Sequence, residues 1–127
     1  MAKKEFRFQG KTLEEVQKLS LSELAPMLDA RARRKIKRGF TDAEKAFLKS
    51  LRTSSKPVKT HCRDMIVLPE MVGKTIKIHR GNSFEDLMVE PEMIGHRFGE
   101  YVLSRKRVQH GDAGVGATKG RAAVSVR

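Results

Sequence analysis

The sequence has no tryptophan, one tyrosine and one cysteine among its 127 residues. With so few aromatic rings, a base-stacking platform of the usual aromatic kind is not expected. The single Cys62 cannot form an internal disulfide, which agrees with a reducing compartment. No apolar run approaches the roughly 20 residues that cross a bilayer, and the first residues lead into no apolar signal segment. We therefore expect a cytoplasmic protein without a membrane partner.

Groups that form metal and catalytic sites are also sparse. No two of the histidines, His61, His79, His96 and His110, have the close spacing of zinc ligands, and Cys62 does not complete a ligand set. His61 and Cys62 are adjacent, so on a strand they would point to opposite faces and make a poor base and nucleophile pair. Phosphate-loop and dinucleotide motifs are missing. We expect no metal, no cofactor and no catalytic residue.

Positive charge is what the chain has in excess. Lysine and arginine total 27 against 15 acidic residues, which gives a net charge of +12. Residues 31–63 carry twelve basic and two acidic side chains, and residues 97–127 carry seven basic and two acidic side chains. The block between them, residues 64–96, carries three basic and six acidic side chains. This segregation predicts a folded centre with basic flanks that bind a polyanion.

Local patterns predict short helices followed by strands. Three capping boxes mark helix starts, at Thr12 with Glu15, Ser20 with Glu23 and Thr41 with Glu44. The second helix is expected to pass Pro26 near its start and to end at Gly39. Its last eight residues, 31–38, contain six cations, which favours phosphate contact over a merely solvated face.

The centre of the chain predicts a small sheet. Residues 65–68 form a short apolar run, typical of a buried strand, and residues 75–79 alternate as a strand with one wet face. Residues 80–83 supply turn residues, so 84–89 should return antiparallel. A near-repeat, PEMVG at 69–73 and PEMIG at 91–95, predicts first a turn and then a short helix at 91–99.

These elements indicate an α+β fold in which a small, mainly antiparallel sheet packs with short helices. We expect a helical N-terminal extension at 1–52 and a core domain at 53–103. The basic, glycine-rich tail at 104–127 should be flexible and order only against a partner.

An ordered set of motifs resembles one known family, that of small-subunit ribosomal protein S19. The motifs are KTHCRDM at 59–65, LPEMVG at 68–73, HRGN at 79–82 and PEMIGHRFGEY at 91–101. ARARR at 30–34, RGF at 38–40, VQHG at 108–111 and GVGAT at 114–118 resemble its archaeal and eukaryotic branch. The resemblance covers about residues 20 to 120. The hairpin tip departs from it, with Arg-Gly-Asn where the family usually has Asn-Gly-Lys.

The resemblance implies a structural constituent of the small ribosomal subunit that binds the 3′ major domain of the ribosomal RNA, in the subunit head. It implies a neighbour of the S13 family and a tail that runs toward transfer RNA in the decoding region. We expect no homo-oligomer. The residues expected to contact ribosomal RNA are Arg33, Arg34, Lys35, Lys37, Arg38, Lys56, Lys59, His61, Arg63, Lys77, His79, Arg80, Asn82, His96, Arg97, Arg105, Lys106, Arg107, His110, Lys119 and Arg121.

Two other classes share parts of this pattern. A free basic nucleic-acid binder would have the same charge layout, but it would not sediment with small subunits. A nucleic-acid-modifying enzyme would lose turnover and keep RNA binding when Cys62, His61, Glu70 and Glu92 are replaced by alanine.

Overall fold

The structure is a computed structural model, and it describes residues 6–108. Short helices pack around a three-stranded sheet, and a two-stranded hairpin precedes them. The α+β class predicted from the sequence is confirmed. Most of the expected tail, from residue 109 onward, lies outside the described residues.

The described chain begins with a hairpin that the sequence patterns did not predict. Strand β1 (Arg7–Phe8) pairs antiparallel with β2 (Lys11–Thr12). Gln9 and Gly10 form the turn with φ of 48° and 84°. Tight hairpin turns with two positive φ angles usually carry Asn-Gly or Asp-Gly, so Gln-Gly gives little signal.

The capping boxes at Thr12 and Ser20 are confirmed. Helix α1 (Leu13–Lys18) starts after Thr12, whose backbone N–H donates to the Glu15 carboxylate at 2.9 Å. Helix α2 (Leu21–Leu24) starts after Ser20 in the same way. The Ser20 backbone N–H and hydroxyl both donate to Glu23 and lower the pKa of that carboxyl.

The prediction of one helix that continues to Gly39 is wrong. A 3₁₀ turn over Ala25–Met27 follows α2, and Leu28 is extended. The new helix α3 (Ala30–Arg38) begins after Asp29, whose carboxylate accepts from the Arg31 backbone N–H at 3.3 Å. Pro26 has no N–H to extend the helical ladder, and Asp29 caps a fresh start, so the pattern divides in two.

Helix α4 (Asp42–Thr53) is confirmed from its cap onward. Thr41 accepts from the Glu44 backbone N–H and in turn donates its own N–H to the Glu44 carboxylate at 2.9 Å. Phe47, Leu48 and Leu51 recur at helical spacing and are buried. This face attaches the helical half of the molecule to the sheet.

The sheet has the order β3-β4-β5. Strand β4 (Thr75–His79) pairs antiparallel with β5 (Phe84–Met88), which confirms the predicted hairpin. Strand β3 (Val58–Thr60) pairs parallel to the other edge of β4. The sequence patterns did not predict β3, because three residues are too few to show alternation.

The prediction of a strand at residues 65–68 is wrong. These four residues are buried, yet they make only one isolated bridge, between Ile66 and Arg97. Their backbone bonds instead to the loop before Phe98: the Val67 N–H donates to the His96 carbonyl at 2.8 Å. A continuous apolar run shows burial, and it does not distinguish a strand from a buried irregular segment.

The two PEM repeats have the same backbone and different surroundings. Both form a 3₁₀ turn, Pro69–Met71 and Pro91–Met93, each followed two residues later by a glycine with positive φ. The predicted helix over 91–99 is wrong, because Gly95, at φ 88°, interrupts it. Helix α5 (Phe98–Tyr101) starts only after that interruption.

One apolar core joins these elements. It includes Leu24 of α2, Phe47 of α4, Ile76 and Ile78 of β4 and Phe98 of α5. Phe47 and Phe98 meet edge to face with ring centroids 5.8 Å apart, which is a favourable aromatic geometry. The basic side chains are therefore carried on a packed support.

Candidate nucleic-acid interface

Helix α3 arranges its cations by helical spacing. Ala32 is buried and Ile36 packs against the core, Lys35 is half-buried, and the other cations of the helix are exposed. Residues three and four apart share a helix face. One such face carries four cations in succession at this spacing, namely Arg31, Arg34, Lys35 and Arg38.

That face lines an open cavity of about 360 Å³ between α3, the start of α4 and Arg97, which we name the α3 cavity. Its lining residues are Arg31, Arg34, Lys35, Arg38, Gly39, Thr41, Glu44 and Arg97. Glu44 is the one acidic residue in this lining, and it is buried. A concave surface with several guanidinium groups and no exposed carboxylate of its own suits a phosphate.

Arg31 was not among the residues predicted from the sequence, although it lines the α3 cavity. The predicted set counted the charge run from Arg33 onward, whereas helical spacing from Arg34 and Lys35 leads back to Arg31. Arg33 and Lys37 are exposed but lie outside this lining. Arg33 instead donates to the Leu28 carbonyl at 3.2 Å.

Lys35 is engaged inside the fold. Its ammonium donates to the Asp64 backbone carbonyl at 2.8 Å and forms an ion pair with Glu44. Burial acts to raise the pKa of Glu44, but hydrogen bonds from Lys35 and from the Thr41 N–H outweigh it and leave the pKa lowered. Lys35 thus neutralises the one buried carboxylate beneath the α3 cavity.

Arg63 is also tied to the protein itself. Its guanidinium donates to the His79 carbonyl at 2.8 Å, to the Gly99 carbonyl at 3.3 Å and to the Val102 carbonyl. A Cβ on Gly99 would meet the Arg63 carbonyl oxygen at 3.3 Å, a tight contact that a glycine avoids. The side chain links the end of β4 to α5 and to the residues after it.

Acidic partners reduce the positive charge on the hairpin. Lys77 and Asp86 form a cross-strand pair at 3.3 Å, and Arg80 lies 3.7 Å from Glu85. The Arg80 guanidinium also donates to the Ser83 hydroxyl at 2.8 Å. Exposed salt bridges of this kind are weak and leave the cations able to exchange partners.

Three rings meet at the end of the sheet, and we name them the ring cluster: His61, His79 and Phe84. The two histidine rings are 4.4 Å apart with an interplanar angle of 33°, and Phe84 meets both edge to face. The Lys59 ammonium lies 5.3 Å from the Phe84 centroid. The low aromatic content gives no hint of this cluster, because two of its three rings are histidines.

Apart from Arg97, which lines the α3 cavity, the remaining predicted residues are dispersed over the surface. His96 pairs with Glu100 at 2.8 Å, and Arg97 lies 3.9 Å from Asp64. Lys56, Asn82 and the basic triplet at 105–107 are exposed. Arg105 and Lys106 share a cavity of about 230 Å³ with the hairpin tip. His110, Lys119 and Arg121 lie outside the described residues.

Within residues 6–108, no cluster of histidine, cysteine or acidic residues could hold a metal ion. Nor does any helix in this range have the length and apolar character needed to cross a membrane. A packed core that carries clustered, exposed cations is typical of a class of basic proteins that bind polyanions such as nucleic acid.

Comparison with known proteins specifies that class further. A family model described as Ribosomal protein S19 matches residues 34–110, more than half of the chain. The chain is 48% identical over 117 residues to the small ribosomal subunit protein uS19 of Methanococcoides burtonii. The aligned residues cover 92% of this chain and 85% of that relative. The chain belongs to the ribosomal protein S19 family. It is a structural, RNA-binding component of the small ribosomal subunit in the cytoplasm, and it is not an enzyme.

Proposed function

We propose that the chain binds the 3′ major domain of the small-subunit ribosomal RNA, in the head of the subunit, and supports translation near the decoding region. The α3 cavity carries the physical part of this proposal. Its arginines come from two separate parts of the chain, α3 and Arg97, and converge on one concave surface. Such a surface can bind the phosphates of a folded RNA and so recognise the shape of that RNA more than its sequence.

The proposed contacts extend over the other predicted cations. The exposed set comprises Arg33, Arg34, Lys37, Arg38, Lys56, Lys59, His61, Asn82, His96 and the triplet at 105–107. Lys35, Arg63, Lys77, His79, Arg80 and Arg97 are half-buried and have partners within the fold. For these six, RNA contact would add to a structural role. His110, Lys119 and Arg121 complete the set as a prediction from sequence.

The family resemblance supports two further partners. A protein of the S13 family would be the neighbour in the subunit head. The tail beyond residue 103 would run toward transfer RNA, and the exposed basic triplet at 105–107 lies at the start of that path. In this arrangement the helical N-terminal extension would comprise residues 1–52, and the core domain would comprise residues 53–103.

RNA-domain selectivity tests the proposal. The full chain is titrated with transcripts of the 3′ major domain and, as a control, of the 5′ domain, in filter-binding assays at several salt concentrations. We expect tighter binding to the 3′ major domain, and affinity for it should fall as salt rises, because each neutralised phosphate releases condensed counterions. Equal affinity for both transcripts would refute the assignment to the 3′ major domain. Affinity that does not change with salt would refute phosphate contact.

A further inference from the structure

The sheet has an inner and an outer face that differ in chemistry. Val58, Thr60, Ile76 and Ile78 point inward and are buried or half-buried. The alternate positions therefore point outward. In register across the three strands, this outer face carries the row Lys59, Lys77 and Asp86, followed by the pair His79 and Phe84.

The ring cluster lies at one end of this outer face, where His61 continues the outward positions of β3. His61 is exposed, while His79 and Phe84 are half-buried beside it. The small angle between the histidine rings makes them a short stack, with Phe84 packed against their edges. His61 is thus the accessible ring of a cluster that the other two rings support.

Backbone contacts hold the cluster in place before any ligand binds. The Gly81 N–H donates to Nδ1 of His79 at 3.2 Å, and Arg63 donates to the His79 carbonyl at 2.8 Å. Nδ1 therefore acts as an acceptor, and a neutral His79 ring carries its proton on Nε2. A supported ring loses little further freedom when a ligand stacks on it, which favours binding.

We propose that the ring cluster binds an unpaired RNA base, stacked on His61, with the Lys59 ammonium beside the adjoining phosphate. This inference rests on the proposed RNA-binding function and names the RNA feature that this face recognises. Unpaired bases expose a flat π surface that stacks on aromatic side chains and histidine, whereas bases inside a duplex do not.

Charge on the outer face limits the length of RNA that fits. Lys59 lies on the edge strand beside the ring cluster, and its own row across the sheet ends in Asp86, which pairs with Lys77. A long phosphate track across the sheet would meet that carboxylate. The favourable surface is therefore short, and it suits one or two splayed nucleotides from a loop or bulge.

The test compares bases with bare backbone. The full chain is titrated with a short single-stranded oligoribonucleotide and with the same oligonucleotide made abasic, which keeps the phosphates and removes the stacking surface. We expect the wild type to bind the base-containing strand at least about fivefold more tightly. His61→Ala should remove that preference and leave the affinity for the abasic strand unchanged.

Two further variants separate stacking from charge. His61→Phe keeps a flat ring that cannot carry a charge and should retain the preference for the base-containing strand. His61→Lys keeps a cation without a ring and should lose that preference. Retention by His61→Lys, or no preference in a wild type that binds both strands, would overturn the inference and leave the proposed function standing. Failure of the wild type to bind the ribosomal RNA transcripts would instead count against the proposed function itself. Circular dichroism on each variant checks that the fold is intact.

Discussion

Two basic regions of the molecule use arginine in opposite ways. At the junction of β4 and α5, the Arg63 guanidinium donates to three backbone carbonyls and is half-buried. At the α3 cavity, Arg34 and Arg38 are exposed, and neither guanidinium makes a hydrogen bond or an ion pair among residues 6–108. One region uses the fork of N–H donors to hold the protein together, and the other presents it to solvent.

Tertiary structure decides between these roles. Arg63 lies where the end of β4 and the α5 region together direct three carbonyl oxygens at its guanidinium, so its donors are satisfied internally. In α3, Arg33 donates to the Leu28 carbonyl, whereas the exposed guanidinium groups of Arg34 and Arg38 bind no carbonyl among residues 6–108. Lys35 shows both situations at once, because it lines the α3 cavity and is also paired with buried Glu44. The comparison predicts that stability and RNA affinity depend on different cations.

Replacing Arg63 should have the largest effect on stability. In Arg63→Met, the apolar stem remains and the carbonyls of His79, Gly99 and Val102 lose a charged donor. We expect the free energy of unfolding to fall by about 3 kcal/mol. Urea denaturation measures it, with Arg34→Met as the matched control, since it removes the same charge from an exposed site. If both variants lose equally little, Arg63 is not the structural link that the contacts indicate.

Replacing Glu44 should have the next largest effect, and the effect should depend on pH. Glu44→Gln leaves Lys35 without its ion-pair partner, so we expect a loss of about 2 kcal/mol at neutral pH. The folded pKa of Glu44 lies below the ordinary value of 4.5, so its stabilisation is complete above that pH and disappears as the pH falls through the folded pKa. The difference between wild type and variant should therefore shrink below about pH 4.5.

Urea titrations between pH 3 and pH 7 follow this difference. Glu92→Gln provides the control, because Glu92 is exposed on the second 3₁₀ turn. A difference between wild type and Glu44→Gln that stays constant as the pH falls would show that the charge of Glu44 is not what stabilises the junction of α3 and α4.

Local signals in the sequence predicted most helix starts and the hairpin. Capping boxes at Thr12, Ser20 and Thr41 depend on neighbours three residues away, so the sequence contains all the information. Residues 65–68 were misassigned because their partners, residues 95–98, are distant in sequence and interrupted by Gly95. Burial could be predicted there, and the hydrogen-bonding pattern could not.

The candidate interface was predictable only in part. Clustered charge located α3, and helical spacing could have added Arg31. The ring cluster depends on the register between β3, β4 and β5, which brings His61 beside His79 and Phe84. The internal role of Arg63 depends on carbonyls up to 39 residues away. Such long-range geometry leaves no local pattern in the sequence.

The exposed arginines should have the smallest effect on stability and a clear effect on RNA. In the double variant that combines Arg34→Gln and Arg38→Gln, we expect the free energy of unfolding to change by no more than about 0.5 kcal/mol. Affinity for the 3′ major domain transcript should fall. The fall of log affinity with log salt should also become shallower, with the magnitude of the slope smaller by about 1.5, because two phosphate contacts are lost.

The matched control removes the same charge from α4. Lys45 and Lys49 are exposed and lie outside the α3 cavity, so Lys45→Gln with Lys49→Gln should leave that slope nearly unchanged. If both double variants lowered the slope equally, the RNA would respond to net charge alone. The convergence of arginines at the α3 cavity would then have no role in binding, and the contrast with Arg63 would be one of exposure rather than of function.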